Sequence, residues 1–242
     1  DQLDPASERD GALHERLAAA VASKRGQRDR VLWNATLGGE ELAWQLSPAG
    51  PAPPWEPAGD FARSSARALE ELAAVSRAVG GSTVGPEAAL ADLESQLGRL
   101  RRDRYAGGAL RTVERLTFTL DRAARALEQR QGEAPLCTNG SPGPDAEVLR
   151  TVFLKFYVGG LQPFLARVHG DTRDWLSSFE RLWREQQELA PPAVRDYVER
   201  WLSLEAEQGL WRRFERSSDR HTRAWASFLD ACGWAPGSGG PT

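Results

Sequence analysis

The segment DTRDWLSSFERLW, residues 171–183, indicates the fold class of this chain more directly than any other stretch. Four large apolar side chains recur in it with the spacing i, i+4, i+7, i+8: Trp175, Phe179, Leu182 and Trp183. Because an α-helix repeats every 3.6 residues, this spacing places all four on one helical face. We therefore predict a helix with a buried Trp-rich face, capped after Gly170 by Asp171 or Thr172.

Helical spacing recurs from one end of the chain to the other. Leu13, Leu17 and Val21, for example, form an i, i+4, i+8 stripe near the N-terminus. Strand-like alternation does not persist beyond four positions, and the chain has 12 Val, 10 Thr and no Ile, so residues that favour sheets are scarce. The pattern of about eight helices joined by short Gly- and Pro-rich breaks predicts an all-α multi-helix bundle.

Two segments rich in Pro and Gly are the candidate boundaries within this bundle. SPAGPAPPWEPAG at 47–59 has five prolines in 13 residues, which excludes a helix and favours an extended connector pinned by Trp55. LCTNGSPGP at 136–144 is predicted to be a turn-rich connecting loop. We expect the remaining parts to pack into one compact domain: an N-terminal helical part (1–135), a Trp-rich C-terminal helical part (145–234) and a flexible tail (235–242).

Pairs of glycines or prolines inside the helical parts are predicted to interrupt helices. We expect Gly107-Gly108 to separate two helices, and Gly159-Gly160 with Pro163 to kink or split another. Pro191-Pro192 is predicted to break the chain again. Pro86 is expected in the first turn of a further helix.

Charge and composition exclude several classes of partner. The net charge is −3, and 29 of the 31 basic residues are Arg, a bias that indicates a G+C-rich gene rather than a nucleic-acid site. The Arg-rich runs at 99–104 and 211–223 are interpreted as solvated helix faces. No apolar run approaches the roughly 20 residues that span a bilayer. The chain also lacks Met and a signal-peptide core, which indicates a processed or excised piece.

No motif in the sequence predicts a catalytic residue, a cofactor or a metal. The three histidines form neither an H-E-x-x-H motif nor an i, i+4 pair. His169 with Asp171 and Asp174 is the nearest approach to a constellation, and we interpret it as a helix end with solvated carboxylates. A G-x-S-x-G elbow, a P-loop and an acidic diphosphate-binding cluster are all missing. We therefore predict a protein that is not an enzyme.

The two asparagines and the two cysteines suggest a compartment. Asn34-Ala-Thr and Asn139-Gly-Ser are both N-glycosylation sequons, although Asn-Gly also suits a plain turn. Cys137 and Cys232 could form one disulfide that closes a loop of about 95 residues, or could be two free thiols. We expect a secreted or lumenal protein. The alternatives are a cytoplasmic one and a bacterial one, in which the sequons carry no meaning.

Trp residues suggest where a partner protein binds. Of the nine, Trp55 and Trp234 lie in or near loops rather than on periodic core positions, so they are candidate interface anchors. We expect a protein–protein interaction module: an extracellular or lumenal helical domain of a glycoprotein that binds another protein. The alternatives are an intracellular α-helical scaffold or adaptor subunit and, third, an all-α enzyme with a site assembled from scattered residues. The sequence leaves the oligomeric state open.

Overall fold

The structure, a computed structural model, describes residues 5–56, 59–80 and 91–234. Helices account for most of these residues, and the prediction of an all-α bundle with about eight helices is confirmed. The α-helices within the described part are α1 (Pro5–Ala35), α2 (Glu40–Leu46), α3 (Phe61–Gly80), α4 (Leu93–Asp103), α5 (Tyr105–Glu133), α6 (Pro144–Val152), α7 (Gln162–Gln186), α8 (Pro192–Trp201) and α9 (Leu210–Ala231).

Two helix pairs supply most of the core: α3 packs along α7, and α5 packs along α9. The stripe predicted from 171–183 is buried there, with Trp175, Phe179 and Leu182 each 1% exposed. Rings stack along it, with centroids 5.7 Å apart for Trp175 and Phe179. Burial of such a side chain stabilises the fold by about 1.5 to 3 kcal/mol. The same core cluster contains residues from both sides of the 136–144 loop.

The predicted helix start at Asp171 or Thr172 is wrong. Helix α7 runs through Gly170 without a break, because the buried stripe continues toward its N-terminus through Phe164, Leu165 and Val168. The cost of a mid-helix glycine, roughly 1 kcal/mol, is small beside that burial. Thr172 is itself buried and its hydroxyl shares a hydrogen bond of 3.2 Å with the hydroxyl of Tyr105.

Gly107-Gly108 does not separate two helices, contrary to the prediction. The break falls at Arg104, whose φ of 40° lies in the left-handed region, and both glycines lie inside α5. Residues 47–56, which we call the proline strap, cross α5 at this point. A Cβ on Gly107 would overlap the carbonyl oxygen of Ser47, and one on Gly108 would overlap that of Pro51. Glycine is required at both positions because the backbone of the strap is in direct contact with the backbone of α5.

Hydrogen bonds with the bundle fasten the proline strap and helix α2, which precedes it. Buried Gln45 spans the break between α4 and α5: its Nε2 donates to the Leu100 carbonyl (2.6 Å) and its Oε1 accepts from the Ala106 N–H (3.2 Å). Arg111 donates to the carbonyls of Pro48 and Gly50. The strap is non-helical, as predicted, and hydrogen bonds from the bundle hold it in place.

Gly159-Gly160 and Pro163 change the helix type instead of splitting the helix. Residues Phe153–Leu161 form a π-helical segment that joins α6 to α7 without a break. Pro163 has no N–H to donate in the first turn of α7, and the wider turns before it accommodate this loss. Pro191-Pro192 does break the chain as predicted, since α8 begins at Pro192. Pro86 lies outside the described residues.

The 136–144 loop contains a hairpin that the sequence analysis did not predict. Strands β1 (Cys137–Thr138) and β2 (Ser141–Pro142) pair antiparallel through a two-residue turn. Asn139 and Gly140 both have positive φ, 50° and 76°, as a type I′ turn requires. The hairpin brings Cys137 to disulfide-bonding distance from Cys232 after α9, with the Cα atoms 5.2 Å apart. A second, smaller core cluster surrounds Cys232.

Replacing Gly108 by Ala tests whether the strap really touches α5. The new Cβ forces two backbones apart, so we expect the free energy of unfolding to fall by about 1 to 3 kcal/mol. Gly132 lies in the same helix with nothing within 4 Å of its Cβ position, so Gly132→Ala should leave stability unchanged or raise it by up to about 1 kcal/mol. Urea denaturation measures both. A Gly108→Ala variant as stable as Gly132→Ala would contradict the contact.

Candidate functional site

A cavity of about 470 Å³ lies between the proline strap and the bundle. Strap residues Pro51–Pro54 form one wall, and the other walls come from the start of α3, the end of α4, the start of α5 and the N-terminal half of α7. Phe61, Ala62 and Val168 make much of the lining apolar. Five charged side chains and one phenol also line it: Asp60, Arg63, Asp103, Arg167, Asp171 and Tyr105.

Tyr105 is placed in the cavity wall by the left-handed turn at Arg104. Its side chain is 8% exposed, and its hydroxyl shares the hydrogen bond with Thr172 described above. Burial raises the pKa of Tyr105 well above its usual range, because the ionised form would lose its hydration. Tyr105 therefore stays neutral and serves as a hydrogen-bonding group rather than as a base.

The two guanidinium groups of the cavity already have partners. Arg167 reaches back across 113 residues and donates to the carbonyls of Pro54 (2.9 Å) and Trp55, so its cation holds the strap. Arg63 pairs with Asp60 at the start of α3, with 3.3 Å between Nε and Oδ1. Both guanidinium groups therefore already have a hydrogen-bond or ion-pair partner within the protein, and both charges also act on the nearby Asp171 carboxylate.

The carboxylates of Asp103 and Asp171 have no direct partner. Neither makes a hydrogen bond or an ion pair with any described residue, and Oδ2 of Asp103 is buried without a partner. An unsatisfied buried acceptor costs about 1 to 3 kcal/mol, so its presence calls for an explanation. Three carboxylates against two guanidinium groups also leave the lining with a net charge of −1.

Trp55, a predicted interface anchor, is held in place and yet 54% exposed. One face of its indole stacks on Phe164, with ring centroids 4.9 Å apart. The edge of the ring lies over Gly160 of the π-helical segment, where a Cβ would come within 3.1 Å of Cζ2. The strap thus presents a fixed aromatic surface beside the π-helical segment.

Trp234, the other predicted anchor, lies elsewhere. The Arg150 guanidinium lies 4.7 Å from its ring centroid, and Phe228 meets it edge to face at 6.0 Å. Its ring packs on the smaller core cluster around Cys232 and is half-buried. The structure therefore does not bring the two Trp residues into one site.

The π-helical segment exposes an apolar surface that the sequence analysis missed. Phe153 and Tyr157 pack on α9, the first against Trp225 at 4.8 Å and the second against His221 at 5.0 Å. No residue of Phe153–Leu161 is buried. Four side chains in this segment or just before it, which we call the apolar ridge, are 40% to 61% exposed: Val152, Leu154, Phe156 and Val158.

The remaining residues singled out from the sequence do not form one site. His169 packs against the ring of Trp211 at 4.9 Å, whereas Asp171 lines the cavity and Asp174 is exposed. In residues 5–56, 59–80 and 91–234, no group of three or more potential ligands is placed to hold a metal ion. Asn34 and Asn139 are both exposed.

These features define an all-α helical domain with a strap, a cavity and an exposed apolar ridge. A family model described as "Protein of unknown function (DUF3080)" matches residues 4–236. The chain belongs to the DUF3080 family. No curated protein and no solved structure matches the chain. None of the helices in the described ranges has the length and hydropathy that a bilayer crossing requires.

The environment of Asp171 makes a prediction about its titration. Burial raises the pKa of its carboxyl, and Asp174 and Asp60 add to the rise, whereas Arg167 and Arg63 oppose it. Because the folded-state pKa is raised, the contribution of Asp171 to stability should decline as the pH rises through the aspartate range. Carboxyl ¹³C NMR should show Asp171 titrating above the ordinary aspartate value. Titration at or below that value would contradict the described environment.

Proposed function

We propose that this chain is a non-enzymatic domain that binds a partner protein through the apolar ridge. The observation that carries the proposal is a nine-residue apolar π-helical segment without a single buried residue. A helix that is apolar all round is normally buried. Single exposed apolar residues are common, but several on one short helical segment favour an interaction surface.

The composition of this surface suits a protein partner. Interface cores are enriched in aromatic and apolar side chains, and Trp is a favoured anchor. Phe156 is 61% exposed, and Trp55 adjoins the segment at Gly160 while keeping one face free of the bundle. Since Trp55 is fixed by its stack on Phe164, a partner would not have to order it on binding.

Charge at the ridge indicates which chemistry the partner carries. Lys155 lies between Leu154 and Phe156, with its Nζ 5.5 Å from the Phe156 ring centroid. Lys155 has no carboxylate partner among the described residues. A partner segment with apolar side chains and at least one carboxylate would therefore complement the ridge.

The cysteine pair supports a secreted or lumenal location for this domain. A disulfide between Cys137 and Cys232 would persist in an oxidising compartment and be reduced in the cytosol. The two sequons are weaker support for this location, because a residue in each of them also has a role in the fold. Asn139 supplies a positive φ for the hairpin, and buried Thr36 donates to the Leu32 carbonyl. An intracellular scaffold with free thiols is the alternative.

Replacing Phe156 by Asp tests the ridge. A photo-crosslinking residue at position 156, in protein expressed in its native source, should identify one partner, which is then purified. Because Phe156→Asp places a charge in the centre of an apolar contact, we expect it to weaken binding of that partner at least about tenfold by calorimetry.

Phe118 provides a matched control, since it is 63% exposed on α5 and outside the ridge. Phe118→Asp should change the affinity by less than about twofold. Both variants should unfold at the wild-type denaturant concentration, because neither ring is buried. Equal affinity for wild type and Phe156→Asp, or the absence of any partner that binds after purification, would refute the proposal.

Peptide mapping of protein from its native source tests the compartment. We expect a Cys137–Cys232 disulfide, and its reduction should lower the free energy of unfolding by roughly 4 to 5 kcal/mol for a loop of 95 residues. A glycan on Asn34 or Asn139 would extend the proposal to a glycoprotein. Two free thiols and unmodified asparagines would favour the intracellular scaffold instead.

A further inference from the structure

We propose that helix α1 pairs with α1 of a second copy of this chain, antiparallel and centred on Leu17. The surface involved is the stripe of Leu13, Leu17 and Val21, in which the sequence analysis recognised one face of an amphipathic helix. This stripe lies on a different element from the apolar ridge, and neither proposal depends on the other. Self-association through α1 therefore goes beyond the binding of a partner protein by the ridge.

Helix α1 meets the bundle near its C-terminal end. The ring of Trp33 meets that of Trp183 edge to face, with centroids 6.4 Å apart. Just after the helix, the hydroxyl of Thr36 accepts a hydrogen bond of 2.9 Å from Gln186. By contrast, every residue from 10 to 31 is exposed. At 1.5 Å per residue, this exposed part of the helix is about 33 Å long.

The exposed part of α1 carries an apolar face that nothing in the described part of the chain covers. Leu13, Leu17 and Val21 are 47% to 57% exposed, and a shallow groove of about 350 Å³ lies along the last two. In proteins most helical stability comes from packing of such a face rather than from helix propensity. Gly11 and Gly26 lower the propensity of this helix further. A packing partner would therefore stabilise α1.

The charges on this face are complementary to those of a second copy. Asp10 lies seven residues before Leu17, and Lys24 lies seven residues after it. Seven residues are almost two helical turns, so all three share one face. Antiparallel pairing about Leu17 therefore places Asp10 against the partner's Lys24. It also places Leu13 against the partner's Val21. Asp10 and Lys24 have no ion-pair or hydrogen-bond partner among the described residues.

The direction of the pairing follows from charge and from the place of the bundle. A parallel pair would bring Asp10 against Asp10 and Lys24 against Lys24, and like charges in contact disfavour association. Antiparallel pairing gives two opposite-charge contacts, related by the two-fold axis of a closed dimer. Each bundle is attached at the C-terminal end of its own α1, so antiparallel pairing also keeps the two bundles at opposite ends of the helix pair.

Sedimentation velocity of the full chain over a range of concentrations tests the pairing. We expect a reversible equilibrium between a chain of 26.6 kDa and a species of twice that mass. Leu17→Glu places two carboxylates at the centre of the apolar stripe, so it should weaken self-association at least about tenfold. The matched control is Ala19→Glu, because Ala19 is exposed on the opposite face of α1. This control should change the affinity by less than about twofold.

Reversal of the charges tests the direction. Lys24→Asp and Asp10→Lys each turn both opposite-charge contacts into like-charge ones, so each variant alone should self-associate at least about fivefold more weakly. An equimolar mixture of the two variants should recover the wild-type affinity to within about twofold, because mixed pairs regain both opposite-charge contacts. A parallel pair would not be weakened by either single variant, since its like charges are already in contact.

Several outcomes would overturn the proposal. These are a wild-type chain that stays monomeric, unchanged affinity in Leu17→Glu or in both charge variants, and a mixture that associates no more tightly than its components. Phe156→Asp should form the same dimer as the wild type, and its loss there would assign self-association to the ridge instead. A monomeric chain whose α1 binds phosphatidylglycerol vesicles would assign the stripe to a membrane surface. Because the substituted residues are exposed, thermal unfolding of each monomer should match the wild type.

Discussion

The contact between the proline strap and the Gly107-Gly108 pair of α5 is the constraint on which the rest of the molecule depends. Two backbones can approach this closely because neither glycine carries a Cβ. The approach fixes the path of residues 47–56, and that path determines where Arg167 finds its carbonyl acceptors and where Trp55 meets Phe164. The cavity and the aromatic surface beside the π-helical segment both follow from it.

Local periodicity was enough to predict the fold class but not the boundaries of every helix. The buried stripe of α7 and the break at Pro191-Pro192 follow from rules that act within a few residues. Gly107-Gly108 misled the prediction because a glycine pair that ends a helix and one that admits a neighbouring backbone have the same sequence. The π-helical segment could not be recognised for a similar reason, since its run of apolar residues also predicts an ordinary buried α-helix.

The candidate site could be anticipated only in fragments. Trp55 was predicted from its place in a loop, and its exposure agrees with that interpretation, although the structure does not test its role. Asp171 was noticed but interpreted as a solvated cap. Its true surroundings arise from contacts such as Arg167 with Pro54, which join residues 113 positions apart. Contacts between residues so far apart depend on the folded path of the strap, so local sequence patterns do not predict them.

The cysteine pair has a mechanical consequence. With Cys137 and Cys232 bonded, residues 137–232 form a closed covalent ring that contains the apolar ridge, α7, α8 and α9. Tension applied along the chain from either side would cross from one sulfur to the other and bypass this ring. The ridge would therefore keep its shape under load, while the strap and helices α1 to α5, which lie outside the ring, would stretch first.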